Sequence, residues 1–145
     1  MSDKVSKRRR SEIMRSVKGK DTKPEMMVRK YLFSKGIRYR LHDKSLPGKP
    51  DIKLTKFKTV IFVNGCFWHG HKNCKIYVMP KTNSRFWADK IDRNIERDSR
   101  NYVKLKELGW NIITVWECDL KKTRRDKTLN SILLKLSKFD NSCQE

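Results

Sequence analysis

Four potential metal ligands constrain how this chain folds. Cys66, His71 and Cys74 lie in one short loop, "VNGCFWHGHKNC", and Cys118 follows a predicted strand much further along the chain. Three thiolates and one imidazole are a donor set typical of a tetrahedral structural Zn²⁺. Their spacing differs from that of a common zinc finger, so buried cysteines beside a surface histidine are the alternative. A shared zinc ion would anchor the loop.

The same loop holds side chains that a zinc ion would leave unused. If His71 binds zinc, His69 is free to act as the general base for a water that attacks phosphorus. The spacing alone also permits the reverse assignment. Phe67 and Trp68 lie between the predicted ligands, where rings on a rigid loop suit stacking on bases. Packing of both rings beneath the loop is the alternative.

The chain is strongly basic, with 36 Lys and Arg against 16 Asp and Glu and a formal net charge of +20. This charge favours a polyanionic partner, because neutralised phosphates release condensed counterions. A ribosome-type RNA binder and simple solubility are the alternatives. Basic residues are concentrated in "KVSKRRRSEIMRSVKGK". We expect residues 1–20 to form an arm and a short helix that contact DNA.

No apolar run is long enough to span a bilayer, and the N-terminus lacks the apolar stretch of a signal peptide. We therefore expect a soluble, intracellular protein. In a reducing compartment, cysteines more often bind metals or pack in cores than form disulfides. Cys143, in the polar tail "DNSCQE", is expected to be a free thiol without a role, and the sequence assigns no role to His42.

Hydrophobic patterns and capping residues predict an α/β fold in one domain over residues 21–145. Helices are expected over 21–36, 84–109 and 128–139, with Asp21 or Thr22 and Asn83 or Ser84 as N-caps. Strands are expected over 51–55, 59–63, 76–83 and 110–117. With the short helix of the arm, the order is α-α-β-β-β-α-β-α, which predicts a mixed sheet between helices.

The longest predicted helix carries a carboxylate on its apolar face. Asp98 occupies the position between Ile95 and Tyr102 in a stripe at helical spacing, whose apolar members are Ala88, Ile91, Ile95, Tyr102, Leu105 and Leu108. A carboxylate on a buried face requires a partner such as a histidine or an arginine. The alternative is that the stripe broadens there and Asp98 lies at its solvent edge.

Two further carboxylates are candidates for chemistry. Glu25 shares a helix face with Val28 and Leu32, although its favourable interaction with the helix dipole is a sufficient structural explanation. Asp51, in "GKPDIKL", enters a strand at a sheet edge, where a carboxylate can hold Mg²⁺. The following strand "TVIFVNG" has no carboxylate, so a second ligand would be another group, such as a main-chain carbonyl.

Four blocks in order, "LPGKPDI", "VIFVNGCFWHGH", "FWADKIDRNIERD" and "LGWNIITVWEC", resemble the very short patch repair (Vsr) DNA mismatch endonucleases. The resemblance covers residues 11 to 120. It implies a restriction-endonuclease-like fold and Mg²⁺-dependent hydrolysis of one DNA strand. Family enzymes nick beside the thymine of a T:G mismatch that arises by deamination of 5-methylcytosine.

The resemblance also implies residue roles. Asp51 and the main-chain carbonyl of Val63 would bind Mg²⁺, with Glu25 supporting the metal and its waters. His69 would be the base, oriented by Asp98. The implied structural zinc ligands are Cys66, His71, Cys74 and Cys118. The side chains implied to insert beside the mismatch are Phe67, Trp68 and Trp87, with Met14 approaching the other groove.

This chain departs from the family pattern at two positions of the second block, where Val63 and Asn64 replace a threonine and a histidine. A main-chain carbonyl is available from any residue, so Val63 can substitute. Asn64 donates hydrogen bonds but cannot transfer a proton near neutral pH. Stabilisation of the leaving group or the phosphate would then be weaker, or would come from a lysine or a metal-bound water. The zinc loop is also one residue longer before Cys74.

The sequence therefore predicts a monomeric, Mg²⁺-dependent enzyme that nicks mismatched double-stranded DNA, in the cytoplasm of a prokaryote, with possible contacts to other mismatch-repair proteins. One alternative is a nuclease of a restriction system or mobile element that requires no mismatch. The other is a zinc-stabilised DNA-binding module without catalysis.

Overall fold

The computed structural model describes residues 22–71, 74 and 79–139. Predictions for the arm of residues 1–20, including Met14, for Cys143, and for residues 76–78 lie outside these residues. The strand expected over 76–83 is wrong in its described part, 79–83, which contains no strand, because Pro80 lacks a main-chain N–H for sheet pairing and Asn83 is left-handed. The described elements are α1 (Lys23–Ser34), β1 (Arg40–Leu41), β2 (Ile52–Leu54), β3 (Thr59–Asn64), α2 (Ser84–Glu107), β4 (Asn111–Trp116) and α3 (Arg125–Phe139). None of these helices is both long and apolar enough to cross a membrane.

Four strands form one mixed sheet in the order β1-β2-β3-β4. β1 with β2 and β2 with β3 pair antiparallel, whereas β3 and β4 pair parallel from Thr59↔Asn111 to Asn64↔Trp116. β3 is buried along nearly its whole length, as expected for a central strand covered on both faces. The predicted mixed α/β architecture is confirmed for the described residues.

Alternation along β3 divides the core between the two faces of the sheet. Ile61 packs in the larger cluster with residues of α1 and α3, including Leu32 and Ile132. Val60 and Phe62 pack on the opposite face against Leu105 of α2. The sheet therefore lies between α1 and α3 on one side and α2 on the other.

α1 begins as its sequence predicts. The Thr22 hydroxyl accepts a hydrogen bond from the Glu25 main-chain N–H at 3.3 Å, and Pro24 lies in the first turn. The buried residues of the helix are Glu25, Val28 and Leu32. The N-cap is thus Thr22, one of the two predicted candidates, and the cap fixes the turn that carries the buried carboxylate.

α2 begins at Ser84, as predicted, but ends before its apolar stripe does. Leu108, expected in the buried stripe, is 55% exposed, because the helix ends at Glu107 and Leu108 is its C-cap. Asn83 occupies the N-cap position in a left-handed conformation, but its side chain makes no capping hydrogen bond. Ile91 and Leu105 are fully buried, so the stripe is correct through the middle of the helix.

Gly70 brings the loop after β3 against α2. A Cβ atom at Gly70 would lie 2.5 Å from Ile95 Cδ1 and 2.8 Å from Ile91 Cγ2, and the residue has a φ of +61°. Gly36 has a φ of +73° but no atom within 4 Å of such a Cβ. The two glycines share a left-handed backbone and differ in the space around them.

Gly70→Ala is expected to lower the free energy of unfolding by about 2–4 kcal/mol, because it adds overpacking to the left-handed strain. The matched control Gly36→Ala adds the strain alone and is expected to lower it by about 1 kcal/mol. Urea unfolding of both variants measures the difference. Equal losses would show that the loop does not pack closely on α2.

Candidate active site

Three side chains from different elements meet beside the start of β2. The β1–β2 register pairs Leu41 with Ile52, so His42 lies opposite Asp51, and its main-chain N–H donates to the Asp51 carbonyl at 3.2 Å. The His42 ring lies against Glu25 of α1, with Nε2 3.1 Å from both carboxylate oxygens. The possible ligand atoms of Glu25, His42 and Asp51 all lie within 4.8 Å of one another. We call this group the carboxylate cluster.

Two carboxylates in so small a volume make the carboxylate cluster electrostatically strained. Glu25 is 1% exposed, and Arg29 pairs with its Oε2 at 3.2 Å. Burial raises the pKa of Asp51 from its ordinary 3.8 to about 6, with the nearby Glu25 charge adding to the rise and the hydrogen bond from Val63 opposing it.

The raised Asp51 pKa has a consequence for stability. Between pH 3.8 and about 6 the folded chain holds a proton that the unfolded chain has released, so this group's stabilising contribution is lost as pH rises. Near neutral pH the ionised Asp51 therefore destabilises the folded chain, and added positive charge would offset this cost. The oxygen donors of Glu25 and Asp51 suit a hard divalent cation.

The end of β3 holds Asp51 in place. The Val63 main-chain N–H donates to Asp51 Oδ2 at 2.7 Å. The next residue, Asn64, is 3% exposed and its Nδ2 donates to the Tyr102 hydroxyl of α2 at 3.3 Å. Burial raises the pKa of Tyr102, so this phenol stays neutral. Asn64 therefore connects β3 to α2.

His69 lies against Asp98. Its Nδ1 is 2.6 Å from Asp98 Oδ2, and Arg97 contacts the other oxygen of that carboxylate at 3.3 Å. A carboxylate at Nδ1 fixes the tautomer of the imidazole and leaves Nε2 as the proton acceptor. The structure thus brings together the two residues that the resemblance pairs, and their catalytic roles stay a prediction.

Three cysteines and His71 form a second possible metal site, the thiol–imidazole cluster of Cys66, His71, Cys74 and Cys118, whose ligand atoms lie within 4.8 Å of one another. His71 Nδ1 is 3.4 Å from Cys118 Sγ, and burial raises the pKa of the Cys66 thiol to about 12. A dication would displace that proton, and the donor set fits tetrahedral zinc. His71, and not His69, accompanies the cysteines.

Neighbouring groups hold the thiol–imidazole cluster. Trp116 of β4 stacks on the His71 ring at 4.1 Å with planes 6° apart, and Glu117 accepts a hydrogen bond from the Cys66 N–H at 3.3 Å. Because β3 and β4 are parallel, Cys66 and Cys118 follow strands that end side by side. The sequence predicted the ligand types, and the sheet register explains how they meet.

Aromatic rings of the loop and of the first turns of α2 form the aromatic cluster, which consists of Phe67, Trp68, Phe86 and Trp87. Trp87 makes edge-to-face contacts with the other three rings at centroid distances of 5.1–5.9 Å. Phe86 is 53% exposed. Asn94 of α2 donates to the Trp68 carbonyl at 2.9 Å. The structure brings together the three predicted rings.

Sequence reasoning missed three residues of this region, namely His42, Phe86 and Asn94. Phe86 adjoins Trp87 in "SRFWADK", so its aromatic neighbour was an available indication. His42 carried no comparable indication, because it follows a two-residue strand whose register is not visible in the sequence.

The basic charge, the carboxylate cluster and the paired histidine suit cleavage of a phosphodiester, and comparisons with known proteins identify the class as a DNA endonuclease. The family described as DNA mismatch endonuclease Vsr matches residues 2–75. The chain is 50% identical to the type II nicking enzyme V.NmeAIP of Neisseria meningitidis, over 83% of this chain and 86% of that protein. It is 42% identical to DNA mismatch endonuclease Vsr of Escherichia coli, over 83% and 77%.

A third relative, the type II nicking enzyme V.XorIIP of Xanthomonas oryzae, is 46% identical over 83% of this chain and 88% of its own length. The chain belongs to the Vsr family of DNA mismatch endonucleases. The family and its nicking relatives support a DNA endonuclease that nicks its substrate.

Proposed function

We propose that this chain nicks one strand of duplex DNA beside the thymine of a T:G mismatch, with Mg²⁺, in very short patch repair. One observation carries the proposal. The carboxylate cluster contacts β3 through the Val63 N–H, and His69, which pairs with Asp98 of α2, follows the end of the same strand by a few residues. A cation site and a base on one rigid strand end suit attack of water on a phosphodiester.

Restriction-endonuclease-like topology is part of this proposal. Two features support it: a mixed sheet lies between helices, and Asp51 directly precedes β2, whose neighbour β3 is the buried central strand. The resemblance of "LPGKPDI" and "VIFVNGCFWHGH" to the family blocks supports it as well.

Mg²⁺ would be held by Asp51 and the main-chain carbonyl of Val63, with Glu25 nearby, and would supply positive charge to stabilise the phosphorane-like transition state. His69 accepts a proton from the attacking water at Nε2. Asp98 holds Nδ1 and stabilises the imidazolium that forms. Asn64 donates to Tyr102 and, as an amide, cannot transfer a proton near neutral pH. Proton transfer at this end of β3 is therefore assigned to His69.

Mismatch recognition is assigned to the aromatic cluster. Its rings contact one another edge to face, which keeps Phe67, Trp68 and Trp87 in one rigid group. Insertion of apolar rings requires unstacking of a base step, and a mismatched step unstacks at lower cost than a paired one. The excess positive charge supplies binding to the DNA backbone.

A second candidate, nicking without a mismatch, is favoured by one observation. Relatives with 50% and 46% identity are described as type II nicking enzymes, a description that names no mismatch. Because the chain belongs to an endonuclease family, the alternative of a DNA-binding module without catalysis is excluded. The cytoplasmic location, monomeric state and contacts with other mismatch-repair proteins stay predictions, and the organisms of the relatives support a prokaryotic source.

Substitution of the proposed general base, His69, and of the proposed metal ligand, Asp51, tests the catalytic assignment. His69→Ala is expected to slow Mg²⁺-dependent nicking about 100- to 10,000-fold, because no proton acceptor remains at the water. Asp51→Asn is expected to abolish nicking through loss of a charged metal ligand. Gel assays of a labelled duplex measure the rates, and fluorescence anisotropy checks that DNA binding persists. Undiminished nicking by either variant would refute the assignment.

A matched pair on α2 separates the His69–Asp98 contact from general effects of charge. Asp98→Asn is expected to slow nicking roughly 100-fold or more, because the amide cannot stabilise the imidazolium. The control Asp92→Asn, at an exposed position of the same helix, is expected to leave the rate unchanged. Equal rates for the two variants would contradict the positioning role of Asp98.

Paired T:G and T:A duplexes with Mg²⁺ or with EDTA test the substrate. The wild-type chain is expected to nick only T:G with Mg²⁺, and Trp68→Ala to lose most of that preference because a ring no longer inserts. Phe33→Ala is the control, since Phe33 is a 77% exposed ring of α1 outside the aromatic cluster. Equal nicking of both duplexes by the wild type would establish the second candidate.

Zinc is proposed for the thiol–imidazole cluster. We expect one tightly bound zinc ion per chain by mass spectrometry of metals. Cys118→Ser is expected to lose it and to reduce the free energy of unfolding by more than about 3 kcal/mol, because zinc binding contributes directly to folding. Cys143→Ser is the control and should keep both zinc and stability. A wild-type chain without zinc would overturn the assignment.

A further inference from the structure

We propose that His42 is a ligand of the catalytic cation, so that Glu25, His42 and Asp51 bind the ion together and favour Mn²⁺ over Mg²⁺. The inference rests on the proposed cation-dependent nicking and adds a nitrogen ligand to a site otherwise made of oxygen atoms. The possible ligand atoms of the three residues already lie within 4.8 Å of one another.

Two independent contacts fix His42 in this position. Its main-chain N–H bonds to the Asp51 carbonyl at 3.2 Å, which continues the β1–β2 pairing by one residue. Its ring nitrogen Nε2 lies 3.1 Å from both oxygens of the Glu25 carboxylate. His42 thus contacts Glu25 through its imidazole and Asp51 through its main-chain N–H.

The His42 backbone has a left-handed conformation, with a φ of 47°. A residue with a Cβ adopts this region at a cost of about 1–2 kcal/mol, and such residues concentrate at functional sites. Here the unusual φ occurs where β1 ends, at the residue whose ring contacts the buried Glu25. The left-handed φ and the ring contact with Glu25 thus occur at the same residue.

Charge in the carboxylate cluster is incompletely balanced by the contacts described. Glu25 and Asp51 contribute two negative charges when ionised, and the guanidinium of Arg29 pairs with Glu25 at 3.2 Å. A divalent cation offsets this negative charge, and a neutral imidazole can bind it without adding repulsion.

The His42 ring nitrogen that contacts Glu25 can form a bond in the site both without and with a bound cation. Without a cation, Nε2–H donates to the Glu25 carboxylate. With a cation, the ring proton lies on Nδ1, Nε2 presents its lone pair, and Glu25 binds the same ion through oxygen. The proton only changes its position on the ring or exchanges with water, so no other reactant is needed.

An imidazole ligand changes which ions the site prefers. Mg²⁺ favours oxygen ligands and retains its waters, whereas imidazole is a good ligand for first-row transition metals. The three-residue set therefore predicts tighter binding of Mn²⁺ than of Mg²⁺. Loss of the imidazole should reduce this preference.

Manganese binding to the full-length, zinc-loaded chain tests the inference. Electron paramagnetic resonance measures free Mn²⁺ during titration, and pulsed measurements on protein with ¹⁵N-labelled histidine detect a nitrogen bound to the ion. We expect nitrogen coupling in the wild type, its loss in His42→Gln, and a Kd about 10-fold or more higher in that variant, as even neighbours of metal ligands contribute this much. His42→Asn is a second variant, because asparagine tolerates the left-handed backbone.

Asp51→Asn separates this inference from the proposed function. Weakened Mn²⁺ binding in Asp51→Asn, with unchanged affinity and nitrogen coupling in His42→Gln, would overturn the role of His42 and leave the proposed cation site standing. Coupling absent from the wild type would also overturn it. If the wild type binds no Mn²⁺, the inference fails, and the nicking assay with Mg²⁺ judges the proposed function by itself.

Discussion

Parallel pairing of β3 with β4 is the constraint on which the arrangement of the whole site depends. It runs from Thr59↔Asn111 to Asn64↔Trp116, so both strands end at the same edge of the sheet. The loop that follows β3 therefore begins beside the residues that follow β4. This proximity lets Cys66 meet Cys118 and lets Trp116 stack on His71. A register shift of one residue would exchange the faces on which these side chains lie.

The end of β3 joins two chemically different groups. Val63 contacts Asp51 through its N–H, while Asn64 points to the α2 face and contacts Tyr102. The carboxylate cluster thus adjoins the strand on one side, and the helix that carries Asp98 lies on the other. His69 reaches Asp98 from a loop that Gly70 packs closely against α2. The end of β3 therefore holds the carboxylate cluster and the His69–Asp98 pair near each other.

Periodicity predicted Asp98 well, because a carboxylate inside an apolar stripe has few low-energy arrangements, and a partnered one is the best of them. The sheet class and the candidate zinc ligands were also predictable from residue types and order. The predicted burial of Leu108 was wrong, because the helix ends at Glu107, before the apolar pattern ends. His42 was not predictable, since its place depends on the register of a two-residue strand and on a left-handed φ. Such features arise from tertiary pairing and leave little trace in local sequence.

The carboxylate cluster also lowers the stability of this fold near neutral pH. Two acids share a small volume, and near neutral pH the ionised form of Asp51 opposes folding because burial has raised its pKa to about 6. The Thr22 cap, the Arg29 pair and the His42 contacts hold Glu25 in place despite this repulsion. A bound cation would stabilise the folded chain in proportion to the logarithm of its concentration over its Kd. The cation proposed for hydrolysis would therefore also relieve the repulsion between these two carboxylates.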